Sequence, residues 1–232
     1  MTLRDGGEND PTVDVVLTRK RIHDAASELF AAHGYQATGI RAIALAAGTS
    51  TSNLYHYVGT KEDLLVEIMR EGMQFLTQKT KCVLANESSP EGRIVGLVYA
   101  HIMSELENVP SSVIQDDEIR SLSRANRTAI LRLRDEYEDL WKDAIDIGMK
   151  KSVFEHPEPH LARLALLGMC TYVARWYVQG GESTPEEICQ FFADFSLKLL
   201  CTSSAYDAAI SEHLVERCIE RSRGLFEKGI SV

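Results

Sequence analysis

The chain has 232 residues, of which 44% are hydrophobic and 25% are charged, so it can bury one or two sizeable cores. Its formal net charge is −9, but residues 18–61 hold five basic and two acidic residues and are locally positive. No apolar run approaches the roughly 18 residues that span a bilayer, and the acidic N-terminus is unlike a signal peptide, so we expect a cytoplasmic protein without membrane contact. The five scattered cysteines lack a CxxC pair, which argues against a disulfide framework and a zinc site.

The chain is predicted to begin with an arm and two helices. Residues 1–17 have little to bury, so we predict a flexible arm. Residues 18–33 carry apolar side chains at helical spacing, with Thr18 as a cap and Gly34 suited to the helix end. Thr38 is the predicted N-cap of a short second helix.

A third helix of about two turns is predicted after a four-residue turn that contains Gly48. Ser50 is its predicted N-cap, and Gly59 ends it. Three short helices with such a turn fit a helix-turn-helix, in which the third helix enters the major groove of DNA. Leu54 and Val58 are four residues apart and should pack inward. The side chains left to face DNA are Thr51, Ser52, Asn53, Tyr55, His56 and Tyr57.

The remainder also reads as helical, so the predicted fold class is all-α. We predict a helix-turn-helix domain over 18–65, a ligand-binding and dimerisation domain over 66–200, and a helical extension over 201–232. Residues 119–149 could form one long helix or two in series. The other predicted helices cover 64–84, 94–106, 161–178, 188–200 and 205–228, with breaks at 109–112 and 156–159.

Residues 18–65 resemble the N-terminal domain of the TetR family of transcriptional repressors. The chain departs from that family's pattern at Gly39, Thr49, Thr51 and Val58, which affects the expected base preference. The matching residues are Ile22, Ala25, Ala26, Leu29, Phe30, Gly34, Tyr35, Thr38, Ile40, Ile43, Ala44, Ala47, Gly48, Ser50, Leu54, Tyr55, Tyr57, Lys61, Leu64 and Leu65.

The resemblance implies two sets of DNA contacts. Thr51, Ser52, Asn53 and His56 would face base edges. Since no Lys or Arg lies between Thr51 and Val58 to bind guanine, we expect a preference for A·T-rich positions. The residues implied to contact phosphates are Thr38, Arg41, Tyr55 and Lys61.

The resemblance also implies a homodimer that binds a double-stranded operator and a small effector. The apolar segments 161–178 and 188–200 are the expected dimer helices, because both are too apolar for a monomer surface. Residues 134–137, 153–154, 176–177, 181 and 185–188 resemble the ligand domain of family members that sense acyl-CoA thioesters.

An acyl-CoA ester needs an apolar slot and cations for its phosphates. The predicted cations are Arg120, Arg124 and Arg127. The predicted slot consists of Tyr99, Met103, Leu131, Tyr137, Trp141, Met169, Tyr172 and Trp176.

Three alternatives remain open from the residues alone. The protein could be a DNA-binding regulator controlled by a protein partner, or a regulator of efflux that senses drugs or other lipophiles. An enzyme is disfavoured because the sequence lacks GxSxG and phosphate-loop motifs. No cofactor is predicted. His156 and His160 do not suit a metal site, because the two prolines between them prevent a shared helix face.

Overall fold

The computed structural model describes residues 11–85, 87–211 and 213–228, and these form an all-helical fold. The first helix, α1 (Pro11–His33), begins seven residues before the predicted start at Thr18. Thr18 is therefore not a cap: it lies inside the helix, 5% exposed, and its hydroxyl accepts a hydrogen bond from Arg21. The prediction of an arm is wrong for residues 11–17, and residues 1–10 lie outside the described part. Gly34 follows the helix at φ +79°, as its predicted place at the helix end requires.

Three helices follow: α2 (Ile40–Ala46), α3 (Thr51–Val58) and α4 (Lys61–Leu84). Ser50 caps α3 as predicted, since its hydroxyl accepts from the backbone N–H of Asn53. Thr60 and Asp63 form a capping box at the start of α4. The cap predicted at Thr38 is wrong, because Gly39 takes the N-cap position without a side-chain bond.

The apolar core beneath the helix-turn-helix draws on both halves of the sequence. Within α1 to α4 its largest fully buried side chains include Phe30, Leu54 and Leu64. Three further members come from much later in the chain, namely Ile114, Leu122 and Ile130. The predicted boundary at residue 65 therefore does not separate two independent cores.

The middle of the chain contains α5 (Pro90–Glu107), α6 (Val109–Asp117), a 3₁₀ turn (Ile119–Ser121) and α7 (Arg124–Lys150). The break predicted at 109–112 is wrong, because α6 begins there. Asn108 caps that helix, and Pro110 is tolerated in its first turn, where no helical N–H is needed. The segment 119–149 divides in two at the cap Ser123.

The last part contains α8 (Pro159–Thr171), α9 (Val173–Trp176), α10 (Pro185–Leu200), α11 (Ser203–Ser211) and α12 (Leu214–Lys228). The single helices predicted over 161–178 and 205–228 are thus each interrupted. Helix α5 lies at the centre, in contact with α4, α7, α8, α10 and α12. None of the helices in the described part combines the length and hydropathy that a bilayer crossing requires.

Helix α12 packs back onto the second domain. The buried ammonium of Lys79 donates to the carbonyl of Phe226 at 2.6 Å. The ring of Phe226 meets that of Tyr99 edge to face, with centroids 6.0 Å apart. Arg221 also pairs with the buried carboxylate of Glu87. The C-terminal extension is therefore part of the core of this domain.

Candidate functional site

Helix α3 buries its two apolar residues and exposes its polar ones. Leu54 is 0% exposed and Val58 is 6% exposed, which confirms their predicted inward packing. The turn before the helix uses Gly48 at φ +63°, a conformation that favours glycine. The exposed side chains are Ser52, Asn53, Tyr55 and His56, and Thr51 and Tyr57 are partly exposed.

The predicted phosphate contacts divide into accessible and inaccessible groups. Arg41 is exposed on α2, and Tyr55 is 52% exposed on α3. The ammonium of Lys61 lies 4.1 Å from the ring centroid of Tyr35 at the start of α4. Thr38 is different: it is 4% exposed, and its hydroxyl is within hydrogen-bond distance of the carbonyls of Leu29 and Gly34. Its side chain stabilises the turn after α1 and is not presented to DNA.

Two adjoining cavities lie in the second domain, where α4, α5 and α6 meet α7 and α8. Their volumes are about 430 Å³ and about 120 Å³. The larger one reaches His23 of α1, so it also touches the helix-turn-helix domain. Both cavities are lined by Leu76, Glu105, Ser112 and Gln115. This shared wall makes them two parts of one candidate effector site.

A chain of buried polar groups lies beside the smaller cavity. The indole N–H of Trp141 donates to the hydroxyl oxygen of Tyr137 at 3.1 Å. That oxygen lies 2.9 Å from Nδ1 of His101. The other ring nitrogen of His101 lies 3.1 Å from Oγ1 of Thr171 and 3.5 Å from Oε1 of Glu105. Burial raises the pKa of Tyr137, so the phenol stays protonated and can donate to His101.

The predicted apolar slot is only partly where the sequence placed it. Tyr137 lines the smaller cavity. Tyr99 and Trp141 line neither cavity, because both are almost completely buried in the core around α5. Met103 and Met169 are partly buried against the same core.

The other predicted ligand residues lie on the outside. Leu131 is 42% exposed, Tyr172 is 64% exposed and Trp176 is 45% exposed. The three predicted cations are exposed at the 3₁₀ turn and the start of α7, on the side that contacts the helix-turn-helix domain. Neither of the two cavities is lined by any of these six predicted ligand residues, which are Arg120, Arg124, Arg127, Leu131, Tyr172 and Trp176.

Sequence reasoning missed the polar groups that do line the cavities. Among the described residues, Arg134 is the one arginine or lysine in their walls, and it donates to the carbonyl of Gln115 and pairs with Asp116. The most buried missed carboxylate is Glu105. It lies four residues after His101 on α5, and the residues from Ile94 to Ala100 that precede the pair are apolar or glycine, so this polar pair was a usable signal.

Acidic groups outnumber basic ones around the larger cavity. Its wall includes Glu71, Glu105 and Glu107. Burial raises the pKa of Glu107, as it does for Asp116 in the smaller cavity. Burial also opposes charge on His23, but Glu71, whose Oε2 lies 3.1 Å from Nε2, helps to raise the pKa of His23 above its ordinary value.

Several large apolar side chains are exposed on α8, α9 and α10 and at Tyr172, which joins α8 to α9. These helices cover most of the two segments that were predicted to dimerise. The predicted helices therefore expose several large apolar side chains in the single chain. Its exposed members are Leu161, Leu164, Tyr172, Trp176, Phe191 and Phe195.

Comparison with known families matches both parts of the chain. Residues 22–68 match the model of the bacterial regulatory proteins of the tetR family. Residues 87–200 match the model of the tetracyclin repressor-like C-terminal domain.

Individual relatives agree with these matches. KstR2, an HTH-type transcriptional repressor of Rhodococcus jostii, is 28% identical over 77% of this chain and 89% of its own length. The crystal structure of PfmR, a TetR-family regulator of Thermus thermophilus, is 31% identical with a TM-score of 0.71 and covers 77% of this chain and 97% of that one. AibR, crystallised with isovaleryl coenzyme A and operator DNA, has the same fold at 22% identity and a TM-score of 0.71, covering 77% and 97%.

Proposed function

The chain belongs to the TetR family of transcriptional regulators, and from that premise we propose that it is a dimeric repressor released from a palindromic operator by a small hydrophobic effector. That it binds DNA through its helix-turn-helix and is not an enzyme follows from the family. The exposed polar face of α3 is the observation that carries the DNA-binding role. Because a repressor must reach its operator DNA, we propose that the protein is cytoplasmic.

Operator recognition is proposed to rest on α3 and its flanks. Ser52, Asn53 and His56 are exposed and can hydrogen-bond to base edges. Arg41 and Lys61 are the cations nearest to α3 in sequence and would contact phosphates. With so few cations, each subunit should show a modest dependence of affinity on salt.

The effector is proposed to occupy the adjoining cavities. Ile68, Phe75 and Leu76 give the larger cavity an apolar side, which suits an acyl group. Arg134 lies in the smaller one and can bind an anionic or carbonyl group. Together with AibR, which was crystallised with isovaleryl coenzyme A, this supports an acyl-CoA thioester as the effector.

A second candidate effector is a lipophilic cation, as in a regulator of drug efflux. The carboxylates of Glu71, Glu105 and Glu107 favour it, because they would attract a positive charge and oppose a phosphate. The two candidates differ in charge, so one titration can separate them.

The dimer is proposed to form through α8 and α10. Leu161 and Leu164 on α8, with Phe191 and Phe195 on α10, would be covered by the same residues of a second copy. Burying such a surface removes apolar area from water at roughly 25 cal/mol per Å². Two helix-turn-helix domains would then be held at the spacing of two half-sites.

The direct test of the DNA-binding role is operator binding by fluorescence anisotropy, using DNA that flanks the protein's own gene. Wild type should bind, and Asn53→Ala with His56→Ala should lose roughly tenfold or more in affinity, since base contacts contribute about 1–3 kcal/mol each. Lys142→Ala is the matched control, because Lys142 is exposed on α7. Equal binding by all three proteins would refute the assignment to α3.

The effector test adds three compounds to the preformed complex. Isovaleryl-CoA represents the thioesters, isovaleric acid controls for the acyl group, and tetraphenylphosphonium represents lipophilic cations. Release by the thioester alone supports the first candidate, and release by the cation alone supports the second. If no small molecule releases the DNA, control by a protein partner becomes the better hypothesis.

A further inference from the structure

Glu118 joins the effector-binding domain to the helix-turn-helix domain. It directly follows α6 and is half-buried. Its Oε1 accepts the backbone N–H of Tyr35 at 2.8 Å, and its Oε2 accepts the hydroxyl of Ser121 at 2.6 Å. Gly34, at φ +79°, is close enough that a Cβ there would lie 3.4 Å from Oε1. A carboxylate of one domain thus holds the turn between α1 and α2 of the other.

Tyr35 of the same turn also contacts Lys61. The ammonium of Lys61 lies 4.1 Å from the ring centroid of Tyr35, a distance typical of a cation–π contact. Burial lowers the pKa of Lys61, and the charge of Glu118 opposes that effect, so the two groups interact electrostatically. Lys61 starts α4 and is separated from α3 only by Gly59 and Thr60. The position of Lys61 is therefore linked to that of α3, the helix proposed to read the operator and called the reading helix below.

The other end of this connection is the effector cavity. Ser111, Ser112 and Gln115 of α6 line the cavity, and Glu118 lies one residue beyond α6. Helix α6 also packs against α1 and α4. A change at the cavity wall that moves α6 would move the Glu118 carboxylate with it.

We propose that Glu118 is a positioning residue for the operator, acting through Tyr35 on the ammonium of Lys61. The inference rests on the proposed contact of Lys61 with a phosphate. A phosphate and Glu118 would compete for the same cation, so Glu118 limits operator affinity as well as placing Lys61. Two other carboxylates close to Tyr35, those of Glu62 and Asp63, belong to the helix-turn-helix side and move with Lys61.

The test is a double-mutant cycle in the full-length protein, with operator affinity measured at low salt so that every variant binds. Glu118→Gln removes the charge but keeps an oxygen that can accept the Tyr35 N–H. It should tighten operator binding about threefold in wild type but less than about 1.5-fold in Lys61→Ala, because the effect passes through that ammonium. Glu136→Gln, which removes an exposed carboxylate from α7, controls for the change in net charge.

The outcomes separate this inference from the broader function. An equal gain in both backgrounds, a gain matched by Glu136→Gln, or no gain from Glu118→Gln would overturn the positioning role while operator binding itself stands. Failure of the wild type to bind any operator would instead overturn the proposed function, and the inference with it.

Discussion

Helix α3 and the two adjoining cavities of the second domain present their polar groups in opposite ways. Helix α3 has eight residues, local caps and a polar face turned to solvent. The cavities take their polar groups from six helices, α1 and α4 to α8, and several of these groups, such as Glu105 and His101, are buried. A surface site can thus be specified by one short segment, whereas a buried site depends on how distant segments pack.

The contrast has energetic consequences. An exposed polar group keeps water as a partner, so changing it affects binding more than folding. A buried polar group must find its partner within the protein, so changing it affects the stability of the whole domain. Helix α6 and the 3₁₀ turn connect the cavities to the helix-turn-helix domain, so substitutions there should affect both operator binding and stability. Four substitutions test whether exposed and buried polar groups differ in these effects.

The largest effect is expected from Ile114→Ala, which tests whether the helix-turn-helix domain is self-sufficient. Ile114 belongs to α6, is 0% exposed and completes the core beneath α1 to α4. Truncation should reduce the free energy of unfolding by about 2–5 kcal/mol and weaken operator binding. Urea unfolding monitored by circular dichroism measures the first effect.

The matched control is Leu131→Ala, since Leu131 is 42% exposed on α7. That substitution should change stability by less than about 0.5 kcal/mol. Equal losses in the two variants would mean that the helix-turn-helix core does not depend on Ile114.

Tyr137→Phe tests the buried network beside the cavity. Without the hydroxyl, the N–H of Trp141 and Nδ1 of His101 lose their shared partner. The free energy of unfolding should fall by about 1–3 kcal/mol, measured by urea titration.

Tyr172→Phe is the control, because Tyr172 is 64% exposed and should change stability little. We expect operator affinity without effector to stay within about twofold of wild type in both variants, because the network lies outside the reading surface. A large loss of operator affinity in Tyr137→Phe alone would show that the two regions are not separable in this way.

Ser50→Ala tests how far α3 depends on its own cap. The hydroxyl of Ser50 accepts the N–H of Asn53, so its loss should cost about 1 kcal/mol of stability and weaken operator binding. Ser89→Ala removes the equivalent group from α5, where the Ser89 hydroxyl accepts the backbone N–H of Gly92. Anisotropy should show weaker operator binding only for Ser50→Ala; equal weakening would assign the loss to general instability.

The smallest effect is expected at His23, a residue of α1 that lines the larger cavity. Because the pKa of His23 is raised in the folded protein, the charged imidazole stabilises the fold at low pH, and this contribution is lost as pH rises above its ordinary value of about 6.5. His23→Gln should remove that pH dependence, an effect below about 1 kcal/mol. Urea titrations at about pH 6 and about pH 8.5 measure it.

His33→Gln provides the reference for His23, because His33 is exposed at the end of the same helix. If both variants retain the wild-type difference between the two pH values, the pairing with Glu71 does not contribute to stability.

The sequence predicted the reading helix well because its determinants are local. Ser50, Leu54 and Gly59 fix the start, the buried face and the end of α3 within ten residues. The helix boundaries were less predictable where tertiary packing decides them, as at the start of α6, where Pro110 suggested a break.

The cavity residues were the hardest to predict. Aromatic residues such as Tyr99 and Trp141 fit both a ligand slot and a core, and the structure places them in the core. Arg134 belongs to the segment 134–137 that resembles the acyl-CoA-sensing ligand domain, but it was not among the predicted ligand residues, because only the fold brings it beside Gln115. Whether any of these residues binds an effector stays a prediction.

Because α12 is synthesised last, the cores of the helix-turn-helix domain and of the second domain become complete at different times during translation. The helix-turn-helix core needs side chains up to Ile130, so it can close while later residues are still being translated. The core of the second domain is complete only once Phe226 has been synthesised, since its carbonyl accepts the Lys79 ammonium and its ring packs on Tyr99. A nascent chain would therefore form the surface of α3 before its second domain is complete, and a nonsense codon near the end of the gene would harm the second domain more than the helix-turn-helix domain.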